Sequence, residues 1–140
     1  MTGDLVFETI YPAPPERVWY ALTDSRALAE WLMENDFQPR VGHAFTFRTE
    51  PQPGFDGIVR CTVLELNPPR RLAYSWQGGP MTQPTTVTWT LESVPEGTHL
   101  RLEHTGFVGA AGLAISAILG RGWRGIVERG LRDWLQASAE

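Results

Sequence analysis

The 140-residue chain contains no lysine and a single cysteine, Cys61. One thiol excludes an intrachain disulfide, so the fold must be held by its core. Every basic residue is an arginine; the 12 are scattered and outweighed by 16 acids, for a formal charge of −4. That balance argues against a phosphate-binding surface, because nucleic-acid affinity rests largely on clustered cations that release counterions. The densest basic group, Arg121, Arg124, Arg129 and Arg132, is diluted by Glu128 and Asp133. Its spacing is that of the wet face of a helix, with Glu128 and Arg132 placed as an i, i+4 pair.

Long hydrophobic runs are missing too. From Phe107 to Leu119 there is no charge, but about thirteen residues fall short of the roughly twenty needed to span a bilayer. The stretch is expected to be buried inside the protein. The first residues, Met1-Thr2-Gly3-Asp4, lack the basic-then-apolar order of a signal peptide, and the expected location is cytoplasmic. Internal repeats and low-complexity segments are also absent.

Recognisable reaction centres are equally scarce. His43, His99 and His104 show no ligand spacing with Cys61, so no metal site is expected. Serine and cysteine nucleophiles lack a base partner, and there is no G-x-S-x-G elbow. Gly120-Arg121-Gly122-Trp123-Arg124-Gly125 satisfies G-x-G-x-x-G, but a dinucleotide site needs a following strand and an acid about twenty residues on. No cofactor is expected.

What the chain does have is pattern. With 42% hydrophobic and 20% charged residues, it reads as one domain over residues 1–140, long enough to bury roughly two thirds of its unfolded surface. Leu5 to Tyr11 reads as a strand. Pro14 to Asp24 reads as a short helix opened by proline, with Val18 and Leu22 on one face. A second short helix follows, with Leu28, Trp31 and Leu32 inward. Met33 to Arg40 is irregular. Period two then takes over: Phe45 and Phe47 share a face, Ile58 to Leu66 is a strand, and Leu72, Tyr74 and Trp76 alternate. Val87, Trp89 and Leu91 alternate with threonines, and Leu100, Leu102 and His104 point one way. Beyond Gly106 the period becomes helical, with Trp123, Ile126, Val127, Leu131, Trp134 and Leu135 in one stripe. Four glycines weaken that helix, and a bend, fray or close approach is expected near Gly120 to Gly122. The expected class is α+β, with the sheet wrapped round the last helix.

The run Ala13-Pro14-Pro15-Glu16-Arg17-Val18-Trp19 with Ala21-Leu22-Thr23-Asp24, then Trp31, Val41-Gly42, Pro68-Pro69-Arg70-Arg71-Leu72 with Tyr74 and Trp76, and Gly97-Thr98 with Leu100, Leu102, His104 and Gly106-Phe107, resembles the START-like (SRPBCC) superfamily. More narrowly it resembles the family named for the C-terminal domain of the activator of heat-shock protein 90 ATPase. The resemblance runs from about Asp4 to Leu135. It implies a helix-grip fold, a curved antiparallel sheet round a long C-terminal helix with two short helices after strand 1, and a cavity that in many relatives holds a small apolar molecule. It implies no universal catalytic residue, since members include lipid carriers, polyketide cyclases, hormone receptors and co-chaperones. One departure is that Gly122-Trp123 follows an unusually apolar Ala110 to Leu119.

The candidate ligand-binding residues are Trp31, Phe45, Phe47, Trp76, Trp89, His104, Phe107, Trp123 and Val127. Large aromatics round a void make a pocket, and the same residues without one make a core. His104 is the candidate general base, against the alternative of a core histidine satisfied by a hydroxyl or carbonyl. Cys61 reads as a buried, inert thiol. The leading expectation is a binding module for a lipid, isoprenoid or aromatic metabolite. A cyclase or dehydratase using His104 comes second, and a chaperone-assisting protein third; a protein partner or homodimer stays open.

Overall fold

The computed structural model describes residues 3–137. Strand β1 (Leu5–Tyr11) is followed by helices α1 (Pro15–Thr23) and α2 (Ser25–Trp31). Pro14 and Pro15 open α1 at no cost in hydrogen bonds, because the N-H groups of a first turn have no helical acceptor. Asp24 then does two jobs: its N-H closes α1 on the Tyr20 carbonyl, and its carboxylate accepts from the Ala27 N-H at 3.0 Å to cap α2. Val18, Ala21 and Leu22 of α1, and Ala27, Leu28 and Trp31 of α2, are buried.

Six further strands follow: β2 (Glu34–Asn35), β3 (Ala44–Arg48), β4 (Ile58–Asn67), β5 (Arg71–Trp76), β6 (Thr85–Val94) and β7 (Gly97–Thr105). The two-residue β2 lies in the stretch expected to be irregular. It forms because Asn35 staples the segment, its Oδ1 accepting from Ser25 Oγ and the Phe37 N-H while its Nδ2 donates to the Ser25 and Met33 carbonyls. The strands make one antiparallel sheet in the order β1-β7-β6-β5-β4-β3-β2. A register shift between Val63 and Glu65 marks a bulge in β4, which adds local bend and twist. Gly97, with φ of 141°, lets the β6–β7 turn pass under β1: a Cβ there would lie 2.1 Å from the Tyr11 carbonyl oxygen.

The chain ends in α3 (Gly109–Gly125), a π-helical turn (Ile126–Gly130) and α4 (Leu131–Ala137). Of the bend, fray or close approach expected near Gly120 to Gly122, the close approach is present: a Cβ at Gly120 would meet Leu5 Cδ2 at 3.1 Å. The helix itself changes geometry further on, at this π turn, where the Tyr11 hydroxyl donates to the Val127 carbonyl at 2.7 Å. Trp123, Val127, Leu131 and Leu135 are buried in the grip of the sheet, with Ile126 and Trp134 half-buried. The architecture is the expected helix grip: a seven-stranded antiparallel sheet curled round the C-terminal helix, two short helices after β1.

Two local expectations need correction. Arg132 does not sit free on the wet face. Its guanidinium reaches β1, donating to Thr9 Oγ1 at 2.8 Å and lying over the Tyr11 ring at 5.0 Å, so the i, i+4 partner Glu128 is not its contact. The apolar stretch Phe107 to Leu119 is not buried as a whole. Phe107 is, but within α3 only the small residues Gly112 and Ser116 are fully buried before Trp123; Ile115 and Leu119 are half-buried, and Val108, Leu113 and Ile118 are 50%, 37% and 63% exposed. Gly112 packs against Phe107 so closely that a Cβ would stand 3.1 Å from its backbone carbon, so this position has room for little more than a glycine.

Candidate functional site

The nine candidate ligand-binding residues all lie between sheet and helix, and all are buried. Period two carries Phe45 and Phe47 of β3, Trp76 of β5, Trp89 of β6 and His104 of β7 to the concave face, while α2, α3 and the π turn bring Trp31, Trp123 and Val127. Their rings interlock. Trp31 meets Trp89 edge-on at 6.0 Å and Trp89 meets Trp123 edge-on at 5.6 Å. Trp76 sits 5.2 Å from Trp123, 5.6 Å from Phe47 and 5.6 Å from His104. Phe45 joins through Phe47 and Tyr74, and Phe107 stacks at a tilt 4.6 Å from His104. Edge-to-face pairs of this kind stabilise by about 0.5–1.5 kcal/mol beyond their burial.

The polar atoms in this cluster are wired to one another. The Trp123 indole can only donate, and it does so to His104 Nδ1 at 3.0 Å. Nδ1 is therefore an acceptor and the imidazole proton sits on Nε2, which donates to Thr85 Oγ1 at 2.7 Å. The Thr85 hydroxyl passes its own proton to the Trp76 carbonyl at 2.8 Å. Burial pushes the imidazole down from 6.5 to about 3, so it stays neutral. Both nitrogens are engaged, which leaves neither to take a proton from a substrate. Trp89 donates to the Tyr74 hydroxyl at 3.0 Å, and burial raises that phenol well above its usual range. Cys61 is buried and its thiol is likewise pushed up by desolvation. Among the described residues no cluster of three His, Cys, Asp or Glu side chains could hold a metal ion.

Open space lies at one end of this cluster. A pocket of about 590 Å³ is bounded by Trp76 and Val59 at its floor, Met33 and Phe55 on one side, Met81 on another, and Ile115, Ile118 and Leu119 of α3. Its size is within the range of small-molecule sites. Trp76 alone of the nine candidate residues lines it. Phe107 lines a smaller void of about 60 Å³ next to it, with Met81, Gly112 and Ile115. The sequence pattern placed the aromatic floor but not the rim, because Met33, Phe55 and Met81 sit in or beside loops where periodicity says nothing. A signal was present all the same: residues 51–55, 77–84 and 107–119 are uncharged, and they converge here.

This fold and apolar pocket define a helix-grip protein. The chain belongs to the Activator of Hsp90 ATPase homolog 1-like family, whose description it matches over residues 12–135. It is similar to protein MLL2253 from Mesorhizobium loti at 33% identity, TM-score 0.86, covering 98% of this chain and 99% of that one. Bacillus halodurans protein BH1534 is 32% identical, TM-score 0.77, with 96% and 99% covered. The Aha1 dimer from Colwellia psychrerythraea shares the fold at 22% identity, TM-score 0.80, with 98% of each chain covered. Among curated proteins none matches.

Proposed function

We propose that the protein binds a small hydrophobic or amphipathic molecule, such as a lipid, isoprenoid or aromatic metabolite, in the pocket between α3 and the sheet. The observation that carries this reading is the pocket's lining, in which Met33, Phe55, Val59, Trp76, Met81, Ile115, Ile118 and Leu119 offer apolar surface and no charged side chain takes part. Affinity would come from burying apolar area at about 25 cal/mol per Å². The residues first singled out as ligand contacts then act mainly as a rigid floor, with Trp76 touching the ligand. The engaged nitrogens of His104 favour binding over a cyclase or dehydratase. A chaperone-assisting role draws on the family description, and a homodimer on the Colwellia neighbour; no residue described above favours either.

An environment-sensitive naphthyl dye tests the reading. It should bind folded protein with one-to-one stoichiometry and be displaced by fatty acids or small aromatics but not by nucleotides. Ile115→Trp, which fills the pocket, should weaken uptake at least about tenfold, or about 1.4 kcal/mol, with Leu119→Trp as a second filling variant. No uptake by folded protein, or uptake that neither variant changes, would refute the assignment.

A further inference from the structure

In most surface helices the large apolar side chains face the core and the exposed side is charged. The first half of α3 departs from that pattern. Its fully buried positions are Gly112 and Ser116, the latter donating to the Gly3 carbonyl; Ile115 and Leu119 are half-buried along the pocket, while Leu113 and Ile118, with Val108 just before the helix, stand exposed. Ala110, Ala114 and Ala117 follow one outward stripe at i, i+4, i+7, and all three are exposed. The next position on that stripe is Arg121, also exposed, and Arg124 follows, lying over the Phe7 ring at 5.9 Å. An uncharged helix half is thus closed at one end by cations. Beside it, the uncharged loops that carry Pro53, Gly54, Pro80 and Met81 line the pocket together with Ile115, Ile118 and Leu119, so the pocket borders this half of the helix at the exposed Ile118.

We infer that this end of the molecule docks on a lipid surface, the outward stripe of α3 lying in the headgroup layer with Arg121 at the phosphates and the pocket mouth facing the bilayer. The inference rests on the ligand-binding reading in one respect: it names the bilayer as the source of the ligand. Two arguments favour lipid over a second copy of the chain. The large exposed apolar side chains here are three, Val108, Leu113 and Ile118, too few for the roughly 800 Å² per partner of a stable dimer, whereas an interfacial helix needs no such minimum. The charge order also matches: an apolar stripe ending in arginines suits acyl chains under anionic headgroups. Nothing in this geometry crosses the bilayer, and no helix among the described residues is long and apolar enough to do so.

The test is flotation with vesicles of phosphatidylcholine, with and without about one-third phosphatidylglycerol. The protein should float with both, more strongly with the anionic set. Ala114→Glu with Ala117→Glu, on exposed positions that do not line the pocket, should reduce the bound fraction at least about tenfold while dye uptake in solution persists. Arg121→Gln should remove only the preference for anionic vesicles. Val41→Glu, on an exposed apolar residue in the turn before β3, should float like the wild type. The pocket-filling variant Ile115→Trp should lose dye and keep vesicle binding, which separates failure of the docking proposal from failure of the ligand reading. Folded protein that does not float, or flotation unchanged in the double variant, would overturn the inference. A concentration-dependent dimer lost in that double variant, without flotation, would assign the face to a second copy instead.

Discussion

Replacing His104 by glutamine should invert the stability order of the two proteins on acidification. At neutral pH the wild type holds two buried hydrogen bonds at the imidazole, from Trp123 and to Thr85. A glutamine amide has a donor and an acceptor but not the ring geometry, so losing one of the two should cost about 1–2 kcal/mol. The proton linkage runs the other way. His104 titrates at 6.5 when unfolded and near 3 when buried, so between these values the unfolded chain takes up a proton that the folded chain refuses. Wild-type stability is therefore fully present above 6.5 and declines as the pH falls towards 3. By about pH 4.5 the decline from this group alone reaches roughly 3 kcal/mol, at about 1.4 kcal/mol per unit. Asp36, held below its usual value chiefly by the Thr46 N-H, also gives up stability in acid, but equally in both proteins, and cancels in the difference. Urea melts of wild type and His104→Gln across this range should show the wild type ahead near neutrality and behind in acid. A constant difference across the range would mean that His104 is not the group whose protonation the fold excludes, and the tautomer deduced from the Trp123 contact would fall with it.

The other expectations concern the helix and the glycines. Leu131, fully buried, should cost about 2–5 kcal/mol as alanine; Arg132→Ala should cost about 1 kcal/mol, through its contacts to Thr9 and Tyr11. Equal losses in urea melts would mean that the wrong side of the helix has been placed inward. Gly97→Ala should destabilise by several kcal/mol or displace β1, because its Cβ would fall 2.1 Å from the Tyr11 carbonyl oxygen and clashes in a packed fold are large effects, about 3 kcal/mol or more. Gly122→Ala, exposed in α3 with nothing within 4 Å of the new methyl, should instead stabilise by up to about 1 kcal/mol. Thermal melts of the pair check both, and a destabilised Gly122→Ala would show that this part of α3 is strained.

By itself the sequence determined the local elements and their inward faces. Prolines and Asp24 bounded the short helices through backbone chemistry that acts within a few residues, and the alternation of Leu72, Tyr74 and Trp76, of Val87, Trp89 and Leu91, and of Leu100, Leu102 and His104 was legible because side chains on a strand repeat every second residue. The C-terminal stripe from Trp123 to Leu135 was legible for the same reason at period 3.6. Only the tertiary structure decided what these faces meet. Pairing of β1 with β7 joins residues about ninety apart, and no local pattern encodes it. Whether the inward aromatics enclose a void depends on how rings from four strands and two helices interlock; here they close over His104 and leave an apolar space beyond Trp76. The apolar first half of α3 looked like core because hydrophobicity records what a residue can bury, not where the sheet ends. The curl of the strands grips the helix from Trp123 onward and fully buries only Gly112 and Ser116 before it, so Ile115 and Leu119 are half-covered at the pocket and Leu113 and Ile118 are left exposed.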